Sequence, residues 1–183
     1  MSVQTYYNPT EFNGVLILLR EPHDERNSCN AHDALEGNKI WFQNIISESI
    51  KRSRQEARYR NRFIEMLTYC GESELEEVAF ANIKLQGGGS NASENYRSLT
   101  EDMKCEDFLK IKAEIEKSNA LKYVFTVYDI FDAVVSNSGA NGLMYNGKKY
   151  KGKHFRMAKI DGITYYEIIH PCISPRIKVK EEE

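Results

Sequence analysis

Three short polar groups in this chain each follow an apolar run. Arg20-Glu21-Pro22-His23 follows Val15 to Leu19, Asn82 closes the run that begins near Glu77, and His170-Pro171 follows Ile163 to Ile169. Their residue types suit chemistry. A carboxylate such as Glu21 can orient water or stabilise a developing positive charge. A neutral imidazole such as His170 can donate to an oxygen on which negative charge builds. A side-chain amide such as Asn82 offers both donor and acceptor to a planar polar ligand. The groups lie far apart in sequence, so they cooperate only if the fold brings the three run ends together.

The apolar patterns predict such a fold. Val15 to Leu19 is continuous, is entered by Gly14 and suits a strand buried on both faces. Residues 38–49 carry Ile40, Trp41, Ile45 and Ile46 at roughly helical spacing. Tyr59, Phe63, Met66, Leu67 and Cys70 then mark one face of a long helix over 53–70, with Gly71 as its stop. Residues 77–83 read as a second strand, and Gly87-Gly88-Gly89-Ser90 as a loop. Cys105 to Ser118 reads as a helix, Tyr123 to Val127 as a third strand, and Asp129 as the cap of a helix through Val135. Residues 136–152, rich in Gly, Asn and Ser, read as an irregular excursion. Asp161-Gly162 between two alternating runs signals a type I′ hairpin, and residues 177–183 read as a solvated tail. Strands alternating with helices in a single core imply one domain over 1–183. The expected class is α/β, a three-layer α/β/α sandwich with a mainly parallel central sheet. In such sheets ligands bind beyond the carboxyl ends of the strands, which is where all three polar groups fall.

Composition narrows the partners. The chain has 183 residues, 25 Lys plus Arg against 27 Asp plus Glu, and a formal net charge of −2, which excludes a globally basic coat for nucleic acid. A local patch remains open: the segment Lys51 to Arg62 holds six basic residues and one acid, and Lys51, Arg54, Arg58 and Arg62 share a helical stripe. That stripe is either a solvated face or a set of phosphate contacts. The four cysteines are scattered without a C-x-x-C pair, signalling neither zinc nor a redox couple, and read as reduced, buried thiols. No apolar run is long enough to cross a bilayer and the first residues lack a signal-peptide core, so the expectation is a cytoplasmic protein without membrane contact. A monomer is the default.

Taken in order, the three polar groups resemble the signature motifs of the uracil-DNA glycosylase superfamily. Leu19-Arg20-Glu21-Pro22 is similar to the loop that closes that family's first strand, Phe80-Ala81-Asn82-Ile83 to its mid-chain strand with a pocket Asn, and Ile169-His170-Pro171-Cys172 to its late His-Pro-Ser. Arg176 lies where several branches also place an Arg, and the likeness spans Gly14 to Arg176. The resemblance implies hydrolysis of the N-glycosidic bond of a deaminated base flipped out of DNA. It implies Glu21 and His170 as catalytic residues, and Asn82, with Phe42 or Trp41 stacking and His23 at the rim, as the base site. Arg54, Arg58, Arg62 and Arg176 are the candidate DNA contacts. No metal or other cofactor is implied, because the closely paired cysteines of the iron–sulfur branches are missing from this chain.

Two departures stand out: Arg20 replaces the usual Gly or Gln before the acid, and Cys172 replaces Ser. The alternative is therefore a non-catalytic module that keeps the fold and binds nucleic acid or a small ligand. Each candidate also has a plain structural reading. Glu21-Pro22 can simply shape a turn, Asn82 can end a strand, His170 can satisfy buried backbone, and Trp41 and Phe42 can pack the core. An unrelated α/β hydrolase is the remaining class, for which the chain offers neither a nucleophile elbow nor a metal triad.

Overall fold

The computed structural model describes residues 9, 11–20, 40–47, 53–68, 70–71, 74–83, 94–117, 119–137, 144–150 and 153–168. Within them the chain forms a mixed α/β fold around a six-stranded, mostly parallel sheet. The strands are β1 (Val15–Leu19), β2 (Ala79–Asn82), β3 (Tyr123–Val127), β4 (Met144–Tyr150), β5 (Lys153–Ile160) and β6 (Ile163–Ile168). The helices are α1 (residues 40–46), α2 (Arg54–Thr68), α3 (Glu94–Arg97), α4 (Glu101–Ile115) and α5 (Tyr128–Asn137). No described helix is long and apolar enough to cross a membrane.

The spatial strand order is β2-β1-β3-β6-β5-β4. β2, β1, β3 and β6 are mutually parallel, with Leu19 opposite Asn82, Leu18 opposite Thr126, and Val127 opposite Ile168. All four carboxyl ends therefore lie along one edge of the sheet. The chain leaves β1 toward β2 on one side and later returns to β3 on the other. This makes the gap between the ends of β1 and β3 the topological switch point, where open α/β sheets form a crevice.

Local chemistry explains the elements. Every residue of β1 is buried, as its unbroken apolar run requires. Gly14 enters β1 at φ +92°, and a Cβ there would lie 2.9 Å from the Lys122 side chain and 3.1 Å from the Ala120 carbonyl oxygen, so only glycine fits. A reciprocal cap opens α2: the Glu56 amide donates to Ser53 Oγ at 3.2 Å and the Ser53 amide to Glu56 Oε2 at 2.7 Å. Gly71, at φ +71°, follows the helix as expected. Aromatic rings join α1 and α2 to the sheet. Phe42 stacks on Phe80 at 4.4 Å with planes 6° apart, Phe63 lies 5.9 Å from Phe42, and Trp41 meets Tyr59 edge-on at 4.9 Å. On α4, Phe108 meets Tyr165 at 6.0 Å.

The structure corrects four readings. Residues 136–152 are not wholly irregular, because β4 pairs antiparallel with β5 there. The register shifts between Tyr145 and Lys149, within the stretch whose Gly, Asn and Ser content had suggested irregular structure. α4 begins four residues earlier than its apolar spacing implied, since Thr100 Oγ1 accepts from the Met103 amide at 3.2 Å and caps it. The second strand begins at Ala79, the preceding Leu75–Glu77 being a 3₁₀ turn. Asp129 is not a cap: α5 starts at Tyr128, directly after β3, which puts Asp129 inside the first turn. The hairpin stands as expected, with Asp161 at φ 49° and Gly162 at φ 82°, the two positive values of a type I′ turn.

Candidate functional site

β3 runs into α5 with no intervening loop, so the first turn of that helix stands at the carboxyl edge next to the residue that leaves β1. That residue is Arg20. Its guanidinium donates from Nε to Asp129 Oδ1 at 2.9 Å, and Nη2 lies 2.8 Å from the same oxygen. The other carboxylate oxygen accepts from the Tyr96 hydroxyl at 2.6 Å and from Lys104 Nζ at 3.4 Å. One carboxylate thus gathers a strand end, α3, α4 and α5 around the switch point. The Arg20 guanidinium also lies 4.9 Å from the centre of the Tyr128 ring and 5.9 Å from that of Tyr96, while Lys104 Nζ is 5.1 Å from the Tyr96 ring. Side-chain exposure is 22 % for Arg20, 17 % for Asp129 and 12 % for Lys104, so these are partly desolvated charges rather than surface pairs.

The electrostatics fix the protonation states. Burial alone would push the Asp129 carboxyl up, but hydrogen bonds from Arg20 and Tyr96 and the charges of Arg20 and Lys104 outweigh it and hold it below the usual carboxylate range. Burial first, then the hydrogen bond to Asp129 and its negative charge, pushes the Tyr96 hydroxyl well above the ordinary phenol value. Burial also opposes the charge on Arg20, and the bond to Asp129 overcomes it. At neutral pH the carboxylate stays ionised and the phenol protonated. The cluster supplies fixed charge, not proton transfer.

Asn82 sits at the same edge, opposite Leu19, and is 3 % exposed. Three polar or charged side chains are buried among the described residues: Asn13, Asn82 and Thr126. Two are satisfied. Asn13 Oδ1 accepts from the Val15 amide at 3.0 Å and its Nδ2 donates to the Glu74 carbonyl at 3.3 Å, while Thr126 Oγ1 donates to the Leu18 carbonyl at 2.9 Å. Asn82 Oδ1 has no hydrogen-bond partner among the described residues. A buried acceptor left unpaired costs about 1–3 kcal/mol, which an ordered water or a donor on a ligand removes.

The other sequence candidates are placed as follows. Glu21, His23, His170 and Arg176, and with them Lys51, lie outside the described residues. Phe42 is fully buried with one ring face on Phe80, and Trp41 is half-buried between Tyr59 and Phe80, so both rings pack the core and we leave them out of the site. Arg54 and Arg58 are exposed and Arg62 is half-buried. Arg60, on the same helix, instead donates to the carbonyls of Ile45 (3.0 Å) and Ile46, closing the end of α1. Cys70 and Cys105 are half-buried, where the sequence reading had them buried, and no group of three or more His, Cys, Asp and Glu among the described residues could hold a metal ion.

Sequence reasoning missed Asp129, Tyr96, Lys104 and Tyr128. An acid two residues past a buried strand, at the carboxyl edge of the sheet, was a usable signal for Asp129. Nothing in the sequence linked Tyr96 or Lys104 to it. A second cluster at the far side of the parallel strands joins Arg156 to Glu167 through Nε at 2.9 Å and Nη2 at 3.0 Å, and to Asp132, with the guanidinium over the Phe131 ring. With two carboxylates on one cation it is self-sufficient and anchors β5 to β6 and α5. Compared with protein-family models, curated proteins and solved structures, the chain has no significant match.

Proposed function

We propose that the chain is a uracil-DNA-glycosylase-like domain of three α/β/α layers. In this reading it takes a deaminated base flipped out of DNA into the crevice beyond its parallel strands and hydrolyses the N-glycosidic bond without a metal. The layering rests on register. Phe80 pairs with Ile17, whereas Tyr165 pairs with Val124 and through it with Leu16. Ile17 and Leu16 are consecutive, so the rings of Phe42 on Phe80 and of Phe108 on Tyr165 lie on opposite faces of the sheet.

The observation that carries the function is the unpaired, buried Oδ1 of Asn82 at the carboxyl edge. An orphaned acceptor selects a ligand with a matching N–H. The ring imide of uracil has one, as do hypoxanthine and xanthine, whereas cytosine presents a lone pair at the corresponding nitrogen. Glu21 follows Arg20 at the end of β1 and is the group to orient water or stabilise the oxocarbenium-like transition state. His170 follows β6 by two positions and is the donor to the departing base. Arg54, Arg58, Arg62 and Arg176 are then the phosphate contacts.

A non-catalytic nucleic-acid-binding module on the same fold is the second reading, favoured by one observation. The Arg20 side chain is committed to Asp129, whereas the family pattern has Gly or Gln before the acid. Base release from oligonucleotides carrying uracil, hypoxanthine or xanthine, read by alkaline strand scission, separates the two. Release that Glu21→Gln, His170→Ala and Asn82→Ala each suppress supports the glycosylase. Absence of release by folded protein that still binds the oligonucleotides overturns catalysis in favour of the module.

A further inference from the structure

The cluster at the switch point is unbalanced. Arg20 and Lys104 carry two positive charges and share one carboxylate, and among the described residues no second carboxylate reaches either of them. Both are less than one quarter exposed, so water neutralises the surplus charge poorly. Lys104 is the loosely held member: at 3.4 Å its bond to Asp129 Oδ2 is long, and its other close neighbour is the Tyr96 ring. The Arg156 cluster, where two carboxylates meet one cation, shows that this chain can neutralise an arginine fully. Arg20 spends Nε and Nη2 on Asp129 and also bonds Tyr96, which leaves part of its five N–H donors for a ligand, and Lys104 keeps two ammonium hydrogens. Against the guanidinium lies the ring of Tyr128, which is 58 % exposed.

We propose that Arg20 and Lys104, braced by Asp129, form a phosphate-binding site at the switch point, with the exposed ring of Tyr128 as a platform for the adjoining base. The nucleic-acid reading above supplies the source of the phosphate, a phosphodiester of a bound strand; the site itself requires only a phosphate group. An anionic oxygen accepting from both cations restores neutrality, and the planar guanidinium presents parallel donors to it. The Tyr128 ring offers a base a face without reading its identity. Arg20, which departs from the family pattern before Glu21, then becomes a strand-positioning residue rather than a defect.

The test uses the full chain and a fluorescent single-stranded oligonucleotide, with anisotropy followed across a salt series. Lys104→Gln retains the Arg20–Asp129 pair and so keeps the fold, which circular dichroism checks. It weakens binding about tenfold at low salt and lowers the slope of log Kd against log salt by about 0.7, the share of one phosphate on a single strand. Lys104→Arg keeps both, and Tyr128→Ala weakens binding about tenfold with the slope intact. Lys110→Gln, on the same helix with its own partner Asp107, changes nothing. Competition by inorganic phosphate and by a nucleoside monophosphate at concentrations that leave an oligonucleotide advantage of less than tenfold assigns the site to a free phosphate ligand, and the site stands. Unchanged affinity and slope in folded Lys104→Gln overturn it. Release of base by that variant with unaltered KM leaves the glycosylase reading standing and removes only the phosphate site. Lys104-dependent binding without base release does the reverse.

Discussion

Asp129→Asn is the most informative single change in the molecule. The wild-type carboxylate accepts from Arg20, Tyr96 and Lys104, and the amide removes the charge that holds two cations together. An exposed ion pair contributes about 0–1 kcal/mol, whereas breaking a buried one costs about 3–5 kcal/mol. Exposures of 12–22 % put this cluster nearer the buried case but short of it. The loss is therefore about 3 kcal/mol, or a fall in Tm of about 6–12 °C for a chain of this length. The effect depends on pH with a definite sign. The folded carboxyl is held below its ordinary value of 3.8, so its stabilisation is complete above that value and disappears as pH falls through the depressed folded one. Urea unfolding of both proteins at pH 7 and in steps down to pH 2 measures this. The wild type is the more stable by about 3 kcal/mol at neutrality, and the gap narrows only below about pH 4. A neutral-pH cost under about 1 kcal/mol, or a gap that persists undiminished at pH 2, refutes the assignment of Asp129 as the charge that organises the switch point.

Four further outcomes are expected. Asn82→Leu, which removes the unpaired acceptor at similar volume, leaves thermal stability unchanged or raises it by up to about 2 kcal/mol while abolishing base binding; a clear loss of stability shows that the amide was satisfied. Gly14→Ala, which forces a Cβ against Lys122 and the Ala120 carbonyl at positive φ, costs about 2–3 kcal/mol in denaturant unfolding, and a neutral result contradicts the close approach. Phe42→Ala costs about 3–5 kcal/mol from the core, with oligonucleotide affinity of the folded protein at low temperature retained; a selective loss of affinity restores Phe42 to the site. At high pH, Tyr96 and Tyr165, both raised by burial before any other cause, stay protonated in the folded chain while their unfolded counterparts ionise. Stability present below about pH 10 is then lost above it at about 1.4 kcal/mol per pH unit for each, and Tyr96→Phe removes one such share from the alkaline slope.

β1 and β3 were legible to the residue because a continuous apolar run bounded by polar residues leaves a strand few alternatives. The hairpin between β5 and β6 was legible because Asp-Gly tolerates two successive positive φ values. β4 was not: Asn146 and Gly147 interrupt its pattern, and a strand at the rim of a sheet, bonded on one side, tolerates such residues. The edge of the site was readable from where the apolar runs stop. Asn82 was readable as a candidate because a polar residue type coincides there with a strand end. The Arg20–Asp129 pair spans 109 positions and depends on β1 and β3 being neighbours, a relation of strand order that no local pattern encodes. The rings of Trp41 and Phe42, offered by the resemblance for stacking on a base, pack the core instead.

The two rims of the sheet bear on how the protein behaves when crowded. A flat, exposed rim strand is a template on which another chain can build, and its backbone groups welcome any partner. Here one rim is β2, four residues long and buried throughout, so it offers little length to copy. The other is β4, where the pairing slips between Tyr145 and Lys149 and the sequence carries Lys148 and Lys149 in succession. A slipped rim is a poor template for a copy of itself. Among the described residues, both rims of the sheet are thus poor templates for a seventh strand.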